Sequence, residues 1–142
     1  MDLSKDKQGI EYTEAIRHTL NEKAERELII GERGNFYQAS ILCASGGPVE
    51  SAPGHTIEEA ITRVFTAGQP AWYREAITFH NRHSLDHMKT LIESYGQIRF
   101  KLRYDKVLIY LGTNKDPIDG DYGHIQEVLR FAIAHLKETE NN

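Results

Sequence analysis

Residues 54–64 carry the helix start signal that most constrains how this chain can fold. They read Gly-His-Thr-Ile-Glu-Glu-Ala-Ile-Thr-Arg-Val. Thr56 suits the N-cap position, where its hydroxyl accepts from a backbone N–H, and Glu59 stands three residues later, as in a capping box. Apolar residues follow at helical spacing, namely Ile57, Ala60, Ile61, Val64 and Phe65. The segment predicts a helix with one apolar face, which we expect to pack on a sheet formed by the strand-like segments before it.

Length and composition predict one globular domain. The chain has 142 residues, of which 39% are apolar and 27% charged, and this is long enough to bury a sizeable core. We expect a flexible N-terminus at residues 1–8 and a single α+β domain over residues 9–142. The single cysteine, Cys43, excludes an intramolecular disulfide and favours a cytoplasmic location. No apolar run approaches the roughly 18 residues that a membrane span needs.

Hydrophobic periodicity predicts the order of helices and strands. We expect helices over residues 9–26, 56–65, 71–95 and 125–137. Strands are expected at residues 27–30, 36–44 and 49–52, and over 97–111 with a turn or bulge at Asp105-Lys106. The order is close to α-β-β-β-α-α-β-β-α. It predicts an antiparallel sheet built from two hairpin regions, with the helices packed on one face.

The chain can be laid on itself with an offset of 69 residues. Pro48-Val49-Glu50 then falls over Pro117-Ile118-Asp119, and Gly54-His55 falls over Gly123-His124. This alignment predicts a two-fold internal pseudo-repeat with halves 9–68 and 69–139. The alternative is that Pro, Gly and acidic residues recur because loops before helices contain them.

Residues 36–64 also resemble part of a known family. Two or three strands lead through Pro53-Gly54 to a helix that opens Gly-His-Thr-Ile-Glu-Glu-Ala. This order is similar to the core of HicB-type antitoxins, in which a partial double-stranded-RNA-binding fold ends in a Gly-x-Thr-Leu-Glu-Glu-Ala helix start. The resemblance covers about a fifth of the chain and implies a local strand-to-helix topology. We transfer no functional residue from it.

Cations at alternate positions of one predicted strand form the first candidate site. Such a row suits phosphate or another anion, and a neighbouring tyrosine can add a stacking surface. Histidines that precede two predicted helices extend the site. The candidate ligand-binding residues are Arg99, Lys101, Arg103, Tyr104, His55 and His124. The alternative is that the cations keep an exposed sheet face soluble.

Three histidines form a second candidate, for a metal ion. If His80, His83 and His87 share one helix, they lie at i, i+3 and i+7 and within about 60° of arc. That spacing could present several imidazoles to one metal ion. We interpret them as a polar helix face, because the surrounding residues show no pattern of supporting ligands, and we expect neither a metal nor another cofactor.

Two further groups of residues are candidates, one for binding a protein partner and one for catalysis. Trp72 and Tyr73 follow Pro70, where an exposed helix end would offer aromatic anchors to a partner. Cys43 could act as a nucleophile with His55 or His124, but we expect it to be a small buried side chain.

These observations favour a small non-enzymatic binding protein of the antitoxin, immunity or phage-inhibitor type, which acts through protein interaction or ligand sequestration. The alternative is a module that binds a nucleotide, a small anionic ligand or RNA on the basic strand face, and a small enzyme ranks last. The formal net charge of −4 argues against binding to nucleic acid by bulk electrostatics. We therefore expect a protein partner or a small anionic ligand, no membrane contact, and an edge strand that would allow a homo-oligomer.

Overall fold

The structure, a computed structural model, describes residues 10–22, 26–43, 47–103, 106–118 and 123–140. The predicted flexible N-terminus, residues 1–8, lies outside these ranges. So does Tyr104, one of the candidate ligand-binding residues.

The described part of the chain folds into strands and helices in a mixed order. In chain order they are β1 (Ile10–Glu11), α1 (Tyr12–Glu22), β2 (Glu27–Arg33), β3 (Phe36–Leu42), β4 (Pro48–Gly54), α2 (Ile57–Thr66), α3 (Ala71–Ala76), β5 (Ile77–Thr78), α4 (Arg82–Tyr95), β6 (Gln97–Arg103), β7 (Lys106–Leu111) and α5 (Ile125–Glu140).

Five of the strands form one sheet in the order β4-β3-β2-β6-β7, and each neighbouring pair is antiparallel. The two short strands β1 and β5 form a separate parallel pair. The α+β class, the antiparallel sheet and the helices on one of its faces are thus confirmed.

The core lies between the sheet and the helices. Alternation along β6 turns Ile98, Phe100 and Leu102 towards the helices, and all three are buried. The phase change predicted near residue 105 is real, because β7 buries Val107, Ile109 and Leu111 on the same face. Buried residues of α1, α2, α4 and α5 complete one continuous apolar cluster with these strands.

The start of α2 agrees with the capping signal. Thr56 has an extended backbone, and its hydroxyl accepts a hydrogen bond from the Glu59 N–H at 3.1 Å. The Glu59 carboxylate pairs with Arg63 one turn later, at 2.7 Å. The helix thus begins where a side chain satisfies one of its unpaired N–H groups.

Two predicted helices have wrong boundaries. The expected helix over residues 71–95 is split into α3 and α4 by β5, because the backbone of Ile77 and Thr78 pairs with β1. In the segment where a helix is expected over residues 9–26, Ile10 and Glu11 form β1 instead. The helix that follows, α1, ends at Glu22 within the described residues. In both places a strand pairing between distant segments replaces helical hydrogen bonds.

Strand lengths also differ from the prediction. β2 continues to Arg33, since the turn to β3 is formed by Gly34 and Asn35 alone, with Gly34 at a φ of 65°. β4 runs from Pro48 to Gly54, longer at both ends than expected. α5 reaches Glu140.

Equivalent helices and strands begin a nearly constant number of residues apart in the sequence. α1 and α4 begin at residues 12 and 82, β2 and β6 at 27 and 97, and β3 and β7 at 36 and 106, an offset of 70 in each case. β2 pairs with β6 so that Ile29 lies opposite Arg99, which is its own equivalent at that offset. Two antiparallel strands that pair through equivalent residues are related by a local two-fold axis.

The short parallel sheet brings equivalent residues together as well. Ile10 lies opposite Ile77, and next to them the rings of Tyr12 and Phe79 stack with centroids 4.9 Å apart and planes at 24°. These pairs have an offset of 67, and α2 and α5 begin 68 residues apart. The arrangement supports the internal pseudo-repeat, whereas the boundaries of the halves, 9–68 and 69–139, stay a prediction.

Candidate functional site

The candidate site is the face of the five-stranded sheet opposite the helices, which we call the open face. Strand alternation assigns to it the residues Glu27, Ile29, Gln38, Ser40, Leu42, Ser51, Arg99, Lys101, Leu108 and Tyr110. Apart from Ser51, which is exposed, all of them are half-buried. Within the described residues, the helices pack on the other face, so these side chains form a surface that a partner can reach.

One transverse row crosses all five strands of the open face. It runs Ser51, Ser40, Ile29, Arg99, Tyr110 from β4 to β7. Ile29 stands at its centre, with Arg99 directly opposite on β6. The row therefore changes from hydroxyl groups at one edge to a cation and an aromatic ring at the other.

Arg99 is held in place by its neighbours. Its guanidinium carbon lies 4.3 Å from the centroid of the Tyr110 ring, a cation–π arrangement. The Nε atom is buried and has no hydrogen-bond partner in the described part of the chain. The side chain as a whole keeps 30% of its exposure, so part of this cation still faces solvent.

Lys101 and Arg99 share a single carboxylate. Glu27 Oε1 lies 3.7 Å from Lys101 Nζ, and Glu27 Oε2 lies 3.7 Å from Arg99 Nε. In the register, Glu27 is directly opposite Lys101 and diagonal to Arg99. Both separations exceed the length of an N–H···O hydrogen bond, so these contacts are ion pairs without close hydrogen bonding.

The other side of the open face is neutral and polar. Gln38 Nε2 donates to Ser51 Oγ at 2.6 Å, and Ser40 and Ser51 are joined through their hydroxyls at 2.9 Å. Small side chains here leave a depression of about 270 Å³, lined in part by Gly31, Ser40 and Gln97. The charge of the open face is thus concentrated on the β6 and β7 side.

The remaining candidate ligand residues lie away from the Arg99 and Lys101 pair. By alternation Arg103 is on the same face as these two, at the exposed end of β6, and it has an interaction partner. His55 is exposed just before α2, in a separate cleft of about 490 Å³ that Arg82 and Lys89 of α4 also line. His124 is exposed before α5, where its carbonyl accepts the first helical bond from Val128 at 3.3 Å.

The predicted aromatic partner site lies on the helical side of the molecule. Trp72 and Tyr73 occupy α3, with their rings edge to face and their centroids 5.8 Å apart. Trp72 is 39% exposed, whereas Tyr73 packs against the core. A role in partner binding stays a prediction for this pair.

The three histidines do not share a helix. His80 lies before Asn81, the N-cap of α4, so that only His83 and His87 stand on the helix. No group of three or more His, Cys, Asp or Glu side chains within the described ranges is placed to hold a metal ion. Burial lowers the pKa of His87, and His83 lowers it further, while Asp86 acts in the opposite sense.

Cys43 is half-buried, and the expectation of a buried thiol is wrong. It follows the last residue of β3, and its Sγ donates to the Gly47 carbonyl at 3.3 Å. Tyr12, by contrast, is fully buried, and burial raises the pKa of its phenol.

The open face includes residues that the candidate set omitted. Glu27, Leu108 and Tyr110 contribute a carboxylate, an aliphatic group and a ring to the same surface as Arg99. Alternation within each strand indicates which residues share a face. The pairing of β2 with β6, which brings Glu27 to the cations, has no local signal in the sequence.

Among the described residues, no helix has the length and apolar character required to cross a membrane.

Comparison with known proteins assigns this chain to no family. No family model, no curated protein and no solved structure matches it.

Proposed function

We propose that this protein is a non-catalytic binding protein that recognises a protein partner through the open face. The observation that carries the proposal is the position of Arg99, a cation laid over Tyr110 on a sheet face that none of the described helices covers. Arginine and tyrosine are, together with tryptophan, the side chains most enriched among those that dominate binding energy at protein interfaces.

The open face is prepared for binding before any partner arrives. Tyr110 and the shared Glu27 restrict the Arg99 side chain, and Ser51 restricts Gln38 and Ser40. Side chains that are already ordered lose less conformational entropy on association. The backbone beneath them belongs to a five-stranded sheet, which further limits rearrangement.

The chemistry of the face favours a protein over a nucleic acid. Ile29, Leu42 and Leu108 give aliphatic contact area between the polar groups. Single-stranded nucleic acid is held chiefly by stacking on aromatic rings, whereas Tyr110 already has a guanidinium over its ring. The net charge of −4 also opposes a long polyanion.

Catalysis has less support. The three residues considered for catalysis lie next to different elements: Cys43 follows β3, His55 precedes α2 and His124 precedes α5. The hydrogen bond from the Cys43 thiol goes to a backbone carbonyl, whereas nucleophilic catalysis uses a group activated by an adjacent base, a lowered pKa or a metal.

A pair of matched substitutions tests the proposal. Ser40→Glu places bulk and charge in the transverse row of the open face, on β3, while Ser94→Glu makes the same change at an exposed position of α4. Tagged full-length protein and both variants are used to capture partners from the native host, after thermal unfolding has shown that all three are folded. A captured protein is then purified and its affinity for each variant measured.

We expect Ser40→Glu to abolish binding of that protein and Ser94→Glu to leave it unchanged. Unchanged binding by Ser40→Glu would refute the open face as the recognition surface. Loss of binding with Ser94→Glu alone would indicate that the partner binds the helical side of the molecule instead.

A further inference from the structure

The centre of the open face has more cationic groups than carboxylates to satisfy them. Glu27 is the acid between Arg99 and Lys101, and it lies 3.7 Å from the nitrogen of each. It lies opposite Lys101 and diagonal to Arg99, and it is within hydrogen-bond distance of neither of these two nitrogens. The Arg99 Nε remains buried without a hydrogen-bond partner in the described part of the chain.

A buried charged donor without a partner is unfavourable, and native structures usually satisfy it. The attraction of the Arg99 guanidinium to the Tyr110 ring favours its position on the open face. Lys101 retains 35% side-chain exposure and Arg99 retains 30%. An anion arriving from solvent can therefore reach both cations, while Glu27 contacts them from the neighbouring strand β2.

We infer that Arg99 and Lys101 form an anion-binding subsite of the open face, which a carboxylate side chain of the protein partner occupies. The inference rests on the proposed function. An incoming carboxylate accepts hydrogen bonds from Lys101 and from the exposed part of Arg99. Glu27 is then released from Lys101 and can close on the Arg99 Nε, so that both carboxylates form charge-assisted hydrogen bonds.

The surroundings of the subsite favour a carboxylate from a protein over a phosphate from a nucleic acid. Leu108 lies directly opposite Lys101, and Ile29 lies directly opposite Arg99. These aliphatic groups can pack against the methylene groups of an Asp or Glu side chain and its apolar neighbours. Neither of them offers a ring for a base to stack on, and the Tyr110 ring beside them already has the Arg99 guanidinium over it.

Nuclear magnetic resonance on the full chain provides the test. The ¹⁵N-labelled protein is titrated separately with an acetylated and amidated hexaglutamate peptide, with a hexaserine peptide of the same termini, with inorganic phosphate and with a uridine oligonucleotide. The Arg99 Nε–Hε signal and the backbone amide signals of β2 and β6 are followed. Lys101→Gln is the main variant, and Lys137→Gln, an exposed position on α5, is its matched control.

We expect hexaglutamate to shift the Arg99 Nε–Hε signal saturably, and hexaserine to leave it unchanged. Lys101→Gln should weaken hexaglutamate binding about tenfold, as expected for the loss of one charge-assisted hydrogen bond, and Lys137→Gln should not. Saturable shifts with phosphate or the oligonucleotide but not with hexaglutamate would overturn the carboxylate assignment. Equal affinity of Lys101→Gln and the unaltered protein would overturn the subsite.

Failure of the subsite can be told from failure of the proposed function. A captured partner that is lost with Ser40→Glu but binds Lys101→Gln at full affinity leaves the open face intact as the recognition surface and removes the subsite. Because Lys101 is partly exposed, its replacement tests the subsite without opening a cavity in the core.

Discussion

Gly54 and Gly123 precede the two matching histidines of the chain, yet their surroundings differ. A Cβ built on Gly54 would lie 2.4 Å from the backbone nitrogen of Ala60. At Gly123 a Cβ would meet nothing within 4 Å. The close approach of β4 to the first turn of α2 thus requires glycine at one position and not at the other.

Gly54→Ala should destabilise the fold by about 1–3 kcal/mol or more, because the obstructing atoms belong to the backbone of α2, which must shift to make room. Gly123→Ala is the matched control and should change stability by no more than about 0.5 kcal/mol. Urea denaturation followed by circular dichroism measures both. Equal stability of the two variants would show that β4 and α2 are farther apart than described.

His87 is a half-buried titratable group between two helices. Its Nδ1 has no hydrogen-bond partner in the described residues. His83 and Asp86 lie near it on α4, and Arg130 and Lys137 of α5 contribute further positive charge. Burial and these cations disfavour the imidazolium form, so the pKa of His87 lies below its usual 6.5.

This shift predicts a loss of stability on acidification. Below about pH 6.5 the unfolded chain binds a proton at this histidine before the folded chain does, which favours unfolding until the folded-state imidazole is protonated too. Between about pH 8 and pH 5, His87→Gln should therefore lose less stability than the unaltered protein. Urea midpoints across this range provide the measurement.

The control for this prediction is His124→Gln, which removes an exposed imidazole. It should follow the pH dependence of the unaltered chain. If His87→Gln loses as much stability on acidification as His124→Gln, the imidazole of His87 is not desolvated in the way described.

At the scale of single elements, α2 shows how far a local signal determines structure. The Thr56 hydroxyl caps the Glu59 N–H, and this bond depends on residues only three apart. Thr56→Ala should reduce the free energy of unfolding by about 1 kcal/mol, whereas Thr56→Ser keeps the oxygen and most of the stability. Chemical denaturation of both variants tests this, and equal losses would mean that the hydroxyl does not act as the cap.

The elements that sequence patterns predicted poorly are those determined by distant pairings. Apolar residues recur with helical spacing through residues 71–95, yet Ile77 and Thr78 leave the helix to pair with Ile10 and Glu11. Nothing within the segment indicates a partner 67 residues away. In contrast, alternation in Gln97–Arg103 was sufficient to place Phe100 in the core and Lys101 on the opposite face.

The candidate site likewise contains some residues that local patterns predict and others that only tertiary pairing brings to the site. Its cations on β6 follow from strand alternation. The role of Glu27 depends on the adjacency of β2 and β6, and that of Tyr110 on the register of β6 with β7. These contacts are tertiary, and the residue types alone do not specify them.

At the scale of the whole molecule, the sheet joins the two equivalent sets of elements through β2 and β6. Ile30 of β2 lies opposite Ile98 of β6, and both are completely buried. The core of the described residues is one cluster that extends across this pairing. We therefore expect the two sets to unfold together.

Ile98→Ala should destabilise the molecule by about 2–5 kcal/mol, the usual cost of emptying a buried aliphatic site. Amide hydrogen exchange, measured strand by strand, should accelerate in β3 as much as in β7 if unfolding is global. Faster exchange in β6 and β7 alone would indicate that the two equivalent sets unfold independently.

The central place of β2 in the sheet has a consequence during synthesis. The strand ends at Arg33, whereas its neighbour β6 starts only at Gln97. At roughly 5–20 residues per second, a ribosome needs several seconds to make the intervening chain. Over that interval the side of β2 that β6 will cover has unpaired amides and carbonyls, so we expect the nascent chain to be prone to strand exchange with neighbouring chains.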